Sequence, residues 1–101
     1  MSPEILRYHV PQNQIQAFEQ AYLEAAELLR KSPHCLGFEL GHNQKDPSTF
    51  LVRILWDSEE GHFQGFRRSE LFPQFLDLVR PFIPSILEME HYKTTADWRR
   101  E

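Results

Sequence analysis

The stretch FLVRILWDSEEGHFQGFRRSELF, residues 50–72, changes from an extended to a helical pattern near its centre. Residues 50–56 are rich in aromatic and branched side chains and predict the most strongly formed strand of the chain. Ser58 is a typical helix N-cap, and the two acidic residues after it lie where the helix dipole favours negative charge. The stretch therefore predicts a strand followed directly by a helix that runs to about Arg68.

The flanking sequence extends this pair to the order β-α-β-β-α-β. Alternation or β-branched content predicts further strands at 4–10, 35–42 and 85–93, and a second helical piece over about 72–80. A longer helix begins after Pro11, and its apolar residues recur every three or four positions. These residues are Ile15, Phe18, Tyr22, Ala25 and Leu29.

This order predicts an α+β ferredoxin-like sandwich. Two right-handed split βαβ units place four antiparallel strands in one sheet, with the helices on one face. With 101 residues, the chain has room for one core. We therefore expect a single domain over residues 1–101, with residues 94–101 as a C-terminal tail.

The two faces of the predicted sheet differ in composition, because successive side chains of a strand point to opposite sides. The face that the helices cover would carry Leu6, Tyr8, Val10, Phe38, Leu40, His42, Phe50, Val52, Ile54, Trp56, Leu87, Met89 and His91. The other face would carry Ile5, Arg7, His9, Glu39, Leu51, Arg53, Leu55, Ile86, Glu88, Glu90 and Tyr92. A mixture of apolar side chains and opposite charges predicts a homodimer in which two such sheets pack together. The alternative is a monomer with this face in water.

Composition excludes several classes of partner. A net charge of −4 argues against a nucleic-acid surface, and no apolar run is long enough to span a membrane. The N-terminus lacks the pattern of a secretory signal, and the single cysteine, Cys35, allows no intrachain disulfide. We therefore expect a cytoplasmic protein that binds neither nucleic acid nor membrane.

No local motif predicts a metal or phosphate site. None of the five histidines forms the spaced pair of a helical metal site, and Cys35 has no neighbouring ligand pattern. The sequence also lacks a Gly-rich phosphate loop and a dinucleotide fingerprint. We expect no bound metal from these patterns.

The segments WDSEEGHFQGFRRSELFPQF (56–75), RPFI (80–83) and MEHY (89–92) resemble the antibiotic biosynthesis monooxygenase superfamily. The resemblance consists of a strand ending in Trp, an acidic helix start, an aromatic residue and then Ser-x-x-Phe. The positions that fit are Trp56, Glu59, Phe66, Ser69 and Phe72.

The resemblance implies a dimeric α/β barrel with a pocket between sheet and helices in each subunit. Characterised relatives oxidise polycyclic phenols with O₂ and use no metal, flavin or haem, so no cofactor is expected. A haem-degrading branch uses an Asn on the first strand, a Trp in the second helix and a later His. This chain departs from that pattern, with Phe66 in place of the Trp.

Candidate site residues follow from the strand faces and the resemblance. His62 or His91 would accept a proton from the substrate, since an imidazole titrates near neutral pH, and Tyr8 would orient its oxygen. The predicted substrate contacts are Trp56, Phe66, Phe63, Phe72 and His42. Each has a structural alternative: a core position, or for His62 a place on the surface if the helix is rotated.

Three functions remain open at this point. The first is cofactor-independent oxidation of a small aromatic substrate such as a phenol, anthrone or quinol. The second is a dimeric module that binds a small apolar ligand without converting it. The third is a structural dimer whose eight phenylalanines fill the core.

Overall fold

The computed structural model describes residues 1–101 and confirms the predicted element order. The strands and α-helices are β1 Ser2–His9, α1 Ile15–Arg30, β2 Cys35–His42, β3 Thr49–Trp56, α2 Leu71–Val79 and β4 Ile86–His91. Short 3₁₀ turns at Gln12–Gln14 and Arg80–Ser85 lead into α1 and β4. The chain is an α+β ferredoxin-like domain, as the sequence predicts.

The four strands form one antiparallel sheet in the order β2-β3-β1-β4. The two central strands, β1 and β3, pair over their whole length, from Ser2 opposite Trp56 to His9 opposite Thr49. The N-terminal end of β1 and the C-terminal end of β3 therefore meet at one edge of the molecule. The polar end of a cavity between the sheet and the helices lies at this edge.

A continuous apolar core lies between the sheet and the helices. The predicted inner face of α1 is confirmed, because Phe18, Tyr22, Ala25 and Leu29 are all fully buried. Phe18 packs against Tyr8 of β1 and other rings of the core. Burial of an aromatic side chain of this kind stabilises the fold by about 1.5–3 kcal/mol.

The segment after β3 differs from the predicted α-helix. Ser58 does act as a cap, since its Oγ accepts a hydrogen bond from the Gly61 N–H at 2.8 Å. Residues Gly61–Phe66 then form a π-helical segment, in which the Arg67 N–H donates to the His62 carbonyl, five residues back, at 3.0 Å. Wide turns of this type occur often at functional sites. The predicted helix to about Arg68 is therefore present, but residues 61–66 are π-helical and not α-helical.

The predicted side-chain alternation of β4 fails at its start. The register between β1 and β4 shifts after the Arg7–Glu88 pair, so that Ile86, not Leu87, lies opposite Tyr8. Ile86 consequently faces the helices, and Leu87 is 56% exposed. The assignment of these two residues to the opposite faces was therefore wrong, because one extra residue in a strand reverses the alternation.

The tail 94–101 has no regular secondary structure, and Trp98 is 76% exposed. None of the helices combines the length and the apolar character that crossing a membrane requires.

Candidate active site

A cavity of about 210 Å³ lies between the sheet and α2. Thirteen of its sixteen lining residues are hydrophobic. An apolar cavity of about 150 Å³ is already enough to hold one benzene ring. The predicted site residues in its wall are Tyr8, Trp56, His62, Phe66 and Phe72. The core therefore leaves an open space at the place where the sequence predicts a ligand.

Aromatic rings form much of the cavity wall. The rings of Trp56 and Phe66 lie 5.1 Å apart at 43°, and Phe66 meets Phe72 and Phe75 edge to face. Ring faces and edges at these distances favour another aromatic ring as the occupant.

Glu4 is the charged residue that the sequence analysis missed. It is only 4% exposed, and its Oε1 accepts a hydrogen bond from the Trp56 indole N–H at 3.0 Å. Burial raises the pKa of the Glu4 carboxyl, although the Trp56 bond and the charges of His91 and Arg67 act in the opposite direction. Its strand parity, shared with Leu6 and Tyr8, was the signal that could have found it.

His62 stacks on Trp56 with ring centroids 4.3 Å apart and planes within 6°. The Arg67 Nε–H, which can only donate, points to His62 Nε2 at 3.3 Å. Burial, and then the charges of Arg67 and His91, lower the pKa of His62 to about 3. The imidazole is therefore neutral, with its proton on Nδ1, and that N–H donates to His91 Nε2 at 2.8 Å.

His91, one of the two predicted proton acceptors, lies behind the cavity wall and does not line the cavity. Its Nε2 accepts from His62, so its Nδ1 carries the proton in the neutral ring and donates to Ser2 Oγ at 2.8 Å. Phe63 also lies outside the cavity, packed against the rings of His62 and His91. Both residues thus support His62 and do not touch the cavity.

Two tyrosine hydroxyls face each other further along the same cavity. Tyr8 and Tyr22 share a hydrogen bond of 2.5 Å, and both side chains line the space. Burial raises the pKa of Tyr8 to about 12 and that of Tyr22 well above its usual range. Both hydroxyls therefore remain protonated. One of them donates to the other, and the proton of the second is free for a ligand oxygen. The helical period correctly predicts Tyr22 in the core, but no sequence pattern predicted a functional role for it.

His42 lies away from the cavity, although its strand parity is the predicted one. Its Nδ1–H donates to the Asn43 carbonyl at 3.1 Å, and the residue is exposed beside a separate depression near Arg7 and Glu39. The predicted contact of His42 with the substrate is therefore absent from this cavity, because residue 42 stands at the far end of β2.

Residues 1–80 match the sequence profile of the family described as antibiotic biosynthesis monooxygenase. The chain belongs to this family. A solved structure assigned to the same family, from Bordetella bronchiseptica, superposes with a TM-score of 0.80 at 22% identity, covering 94% of this chain and 97% of that one. The resemblance seen in the sequence is confirmed.

Two further proteins are similar to this antibiotic biosynthesis monooxygenase domain. A family structure from Chloroflexus aurantiacus has a TM-score of 0.76 at 20% identity, with coverage of 97% and 96%. The uncharacterized protein YczJ of Bacillus subtilis is 24% identical over 93 residues, which are 92% of this chain and 98% of YczJ. The fold of the antibiotic biosynthesis monooxygenase family forms dimeric α/β barrels.

Proposed function

We propose that this protein oxidises a small phenol or quinol with O₂, using electrons from the substrate itself and no cofactor. The observation that carries the proposal is the buried Glu4 carboxylate, with its raised pKa, in the wall of an aromatic cavity. A carboxylate whose pKa is raised by burial accepts a proton more readily than an exposed one.

Glu4, rather than His62, is the proton acceptor in this proposal. The pKa of His62 is too low for an effective base near neutral pH, and its remaining lone pair already accepts from Arg67. His62 acts as a positioning residue: its Nδ1 lies 3.9 Å from Glu4 Oε1, and its ring braces Trp56. His91 fixes the orientation of His62 through the hydrogen bond between their rings.

The substrate ring would lie in the cavity against Trp56 and Phe66, with its acidic hydroxyl toward Glu4. Arg67 also lines the cavity and would stabilise the anion that forms. The Tyr8–Tyr22 pair would donate to a second oxygen of the substrate. A volume of about 210 Å³ favours one substituted ring over the polycyclic substrates of characterised relatives.

The redox step needs only the deprotonated substrate and O₂. A quinol anion is electron-rich enough to reduce O₂; overall, two electrons and two protons leave the quinol, giving a quinone and hydrogen peroxide. A substrate with an acidic ring CH₂ group would instead give a ketone and water. Apolar walls keep water away from the intermediate in either case.

Oxygen consumption by metal-free protein tests the proposal. We expect uptake with substituted hydroquinones and phenols, weaker uptake with anthrone, and a loss of at least about 100-fold in Glu4→Gln, the size typical of a general base. Asp57→Asn, which changes an exposed carboxylate outside the cavity, is the matched control and should retain full activity. Uptake that is equal in wild type and Glu4→Gln would remove Glu4 from the mechanism.

A binding module for a small apolar ligand is the second candidate, and the largely apolar lining of the cavity favours it. The same compounds distinguish the two functions. Quenching of Trp56 fluorescence without oxygen uptake would indicate binding alone, whereas quenching with uptake supports catalysis. Trp98 is exposed, so Trp98→Phe provides a protein in which the signal comes from Trp56.

We also propose that the chain forms a homodimer through the open face of the sheet. Leu51 on this face is 40% exposed, and Glu39 lies opposite Arg53 across β2 and β3. Arg7 approaches Glu88 at 3.7 Å on the same face. Apolar side chains mixed with opposite charges match the self-complementary surface that a two-fold axis requires.

The mass of the protein in solution tests this assembly. Arg53→Glu places a second negative charge opposite Glu39 and should shift the mass toward the monomer. Arg30→Glu, on the exposed surface of α1, is the matched control and should leave the mass unchanged. A dimer of equal strength in Arg53→Glu would exclude this face from the interface.

A further inference from the structure

We propose that Glu4, His62 and His91 form a binding site for a divalent transition-metal ion such as Zn²⁺. One ligand atom from each side chain lies within 4.8 Å of the other two. The closest pair, His62 Nδ1 and His91 Nε2, is 2.8 Å apart, and Glu4 Oε1 is 3.9 Å from His62 Nδ1. The proposal is independent of the oxidation chemistry proposed above.

The donor set suits this class of ion. Zinc binds imidazole nitrogen and carboxylate oxygen at about 2.0–2.2 Å, which places neighbouring ligand atoms about 3–3.5 Å apart. The two imidazole nitrogens are already close to this spacing, and a rotation of the Glu4 carboxylate would bring the third ligand into range. Water would complete the coordination. The three residues come from β1, the π-helical segment and β4, so no local sequence spacing announces the site.

Neighbouring side chains orient two of the three ligands. Trp56 holds Glu4 Oε1, and Ser2 Oγ bonds His91 Nδ1, which turns His91 Nε2 inward. Hydrogen bonds of this kind to the outer atoms of metal ligands fix their orientation and affinity. His91 Nε2 is therefore oriented before an ion arrives, whereas the Glu4 carboxylate must still rotate.

A surface depression gives an ion access to the site. It is lined by Glu4 and His91 together with Glu59 and Glu90, whose carboxylates attract a cation. Arg67 also borders it and opposes binding, because it donates to His62 Nε2 and carries a positive charge. Metal binding at His62 Nδ1 requires the single proton of the neutral ring to move from Nδ1 to Nε2, with no net release, and Arg67 must then withdraw from Nε2.

The metal-bound and hydrogen-bonded arrangements therefore exclude each other. A bound ion also occupies the Glu4 carboxylate, so it blocks that group as a proton acceptor. Zn²⁺ would consequently inhibit any reaction that needs Glu4 as a base.

Calorimetric titration of metal-free protein with ZnCl₂, and visible absorption with Co²⁺, test the site without reference to activity. We expect one ion per chain, with affinity at least 10-fold weaker in Glu4→Gln and in His91→Ala. Glu4→Gln keeps an oxygen for the Trp56 bond, so it preserves the local fold. Arg67→Ala should bind more tightly than wild type, which an adventitious surface site would not show.

His9→Ala is the matched control, because His9 lies 3.8 Å from Asp46 in an exposed histidine–carboxylate pair. Its affinity should equal that of wild type. The proposal is overturned if wild type takes up no ion, or if Glu4→Gln and His91→Ala both bind as wild type does. A loss of affinity in His9→Ala alone would assign the metal to the surface pair.

Discussion

Two histidine–carboxylate pairs lie beside the π-helical segment Gly61–Phe66, and they behave in opposite ways. The outer pair, His34 with Asp57, has side chains 37% and 40% exposed and a hydrogen bond of 2.9 Å. The inner pair, His62 with Glu4, has side chains only 4% and 6% exposed and a separation of 3.9 Å. A histidine and a carboxylate therefore meet near solvent on one side and in the core on the other.

The environment decides the charge of each pair. The hydrogen bond from His34 lowers the pKa of the Asp57 carboxyl, because a donor stabilises the ionised form. Burial instead raises the pKa of Glu4 and lowers that of His62, because each neutral form is easier to bury than its ion. An exposed pair of this kind adds little to stability, whereas a buried one has a pKa perturbed enough for proton transfer.

The largest expected effect is the loss of folding stability in acid that follows from the lowered pKa of His62. Its pKa is lowered from 6.5 to about 3 in the fold, so its contribution to stability is complete above pH 6.5 and is lost as the pH falls toward 3. Between pH 6.5 and 5 this amounts to about 2 kcal/mol. Urea unfolding of wild type and His62→Asn over this range should show the free energy of wild type falling more steeply. Parallel curves would mean that His62 protonates freely in the folded protein.

A smaller change in the free energy of unfolding is expected when the carboxylate of either pair is replaced by the corresponding amide. The sign of this change differs between the two pairs. Glu4 has a raised pKa, so its ionisation destabilises the fold as the pH rises, and Glu4→Gln should increase the free energy of unfolding at pH 8. Asp57 has a lowered pKa, so Asp57→Asn should decrease it at the same pH. Thermal unfolding of both variants at pH 8 measures the difference. If both variants were less stable than wild type, the ionised Glu4 carboxylate would not destabilise the folded protein.

The apolar core of the fold was easier to predict than the inner pair. Strand parity and helical period placed Tyr8, Trp56 and the buried face of α1 correctly, because both patterns depend only on local geometry. The same parity put Glu4 inside, but a charged residue is rarely buried, and it was therefore passed over. The contact between His62 and His91, which are 29 residues apart, depends on the π-helical segment and the register of β4. No local pattern in the sequence encodes either.

The smallest expected effect comes from adding a side chain at Gly65, in the space that the His34 ring occupies. A Cβ at Gly65 would lie 2.5 Å from His34 Nε2, too close for both to remain in place. In Gly65→Ala the exposed His34 ring should swing out and break its bond to Asp57, while the gain in helix propensity, about 1 kcal/mol, offsets part of the loss.

The pKa of Asp57, followed by NMR titration of Gly65→Ala, should therefore return toward its ordinary value, because its largest stabilising contact is the bond from His34. Ligand binding in the cavity should be unchanged, since neither His34 nor Asp57 lines it. Altered ligand binding in this variant would mean that the outer pair holds the π-helical segment in shape and so positions His62. The two pairs would then be one structural unit, and the exposed one would matter for the site through geometry and not through charge.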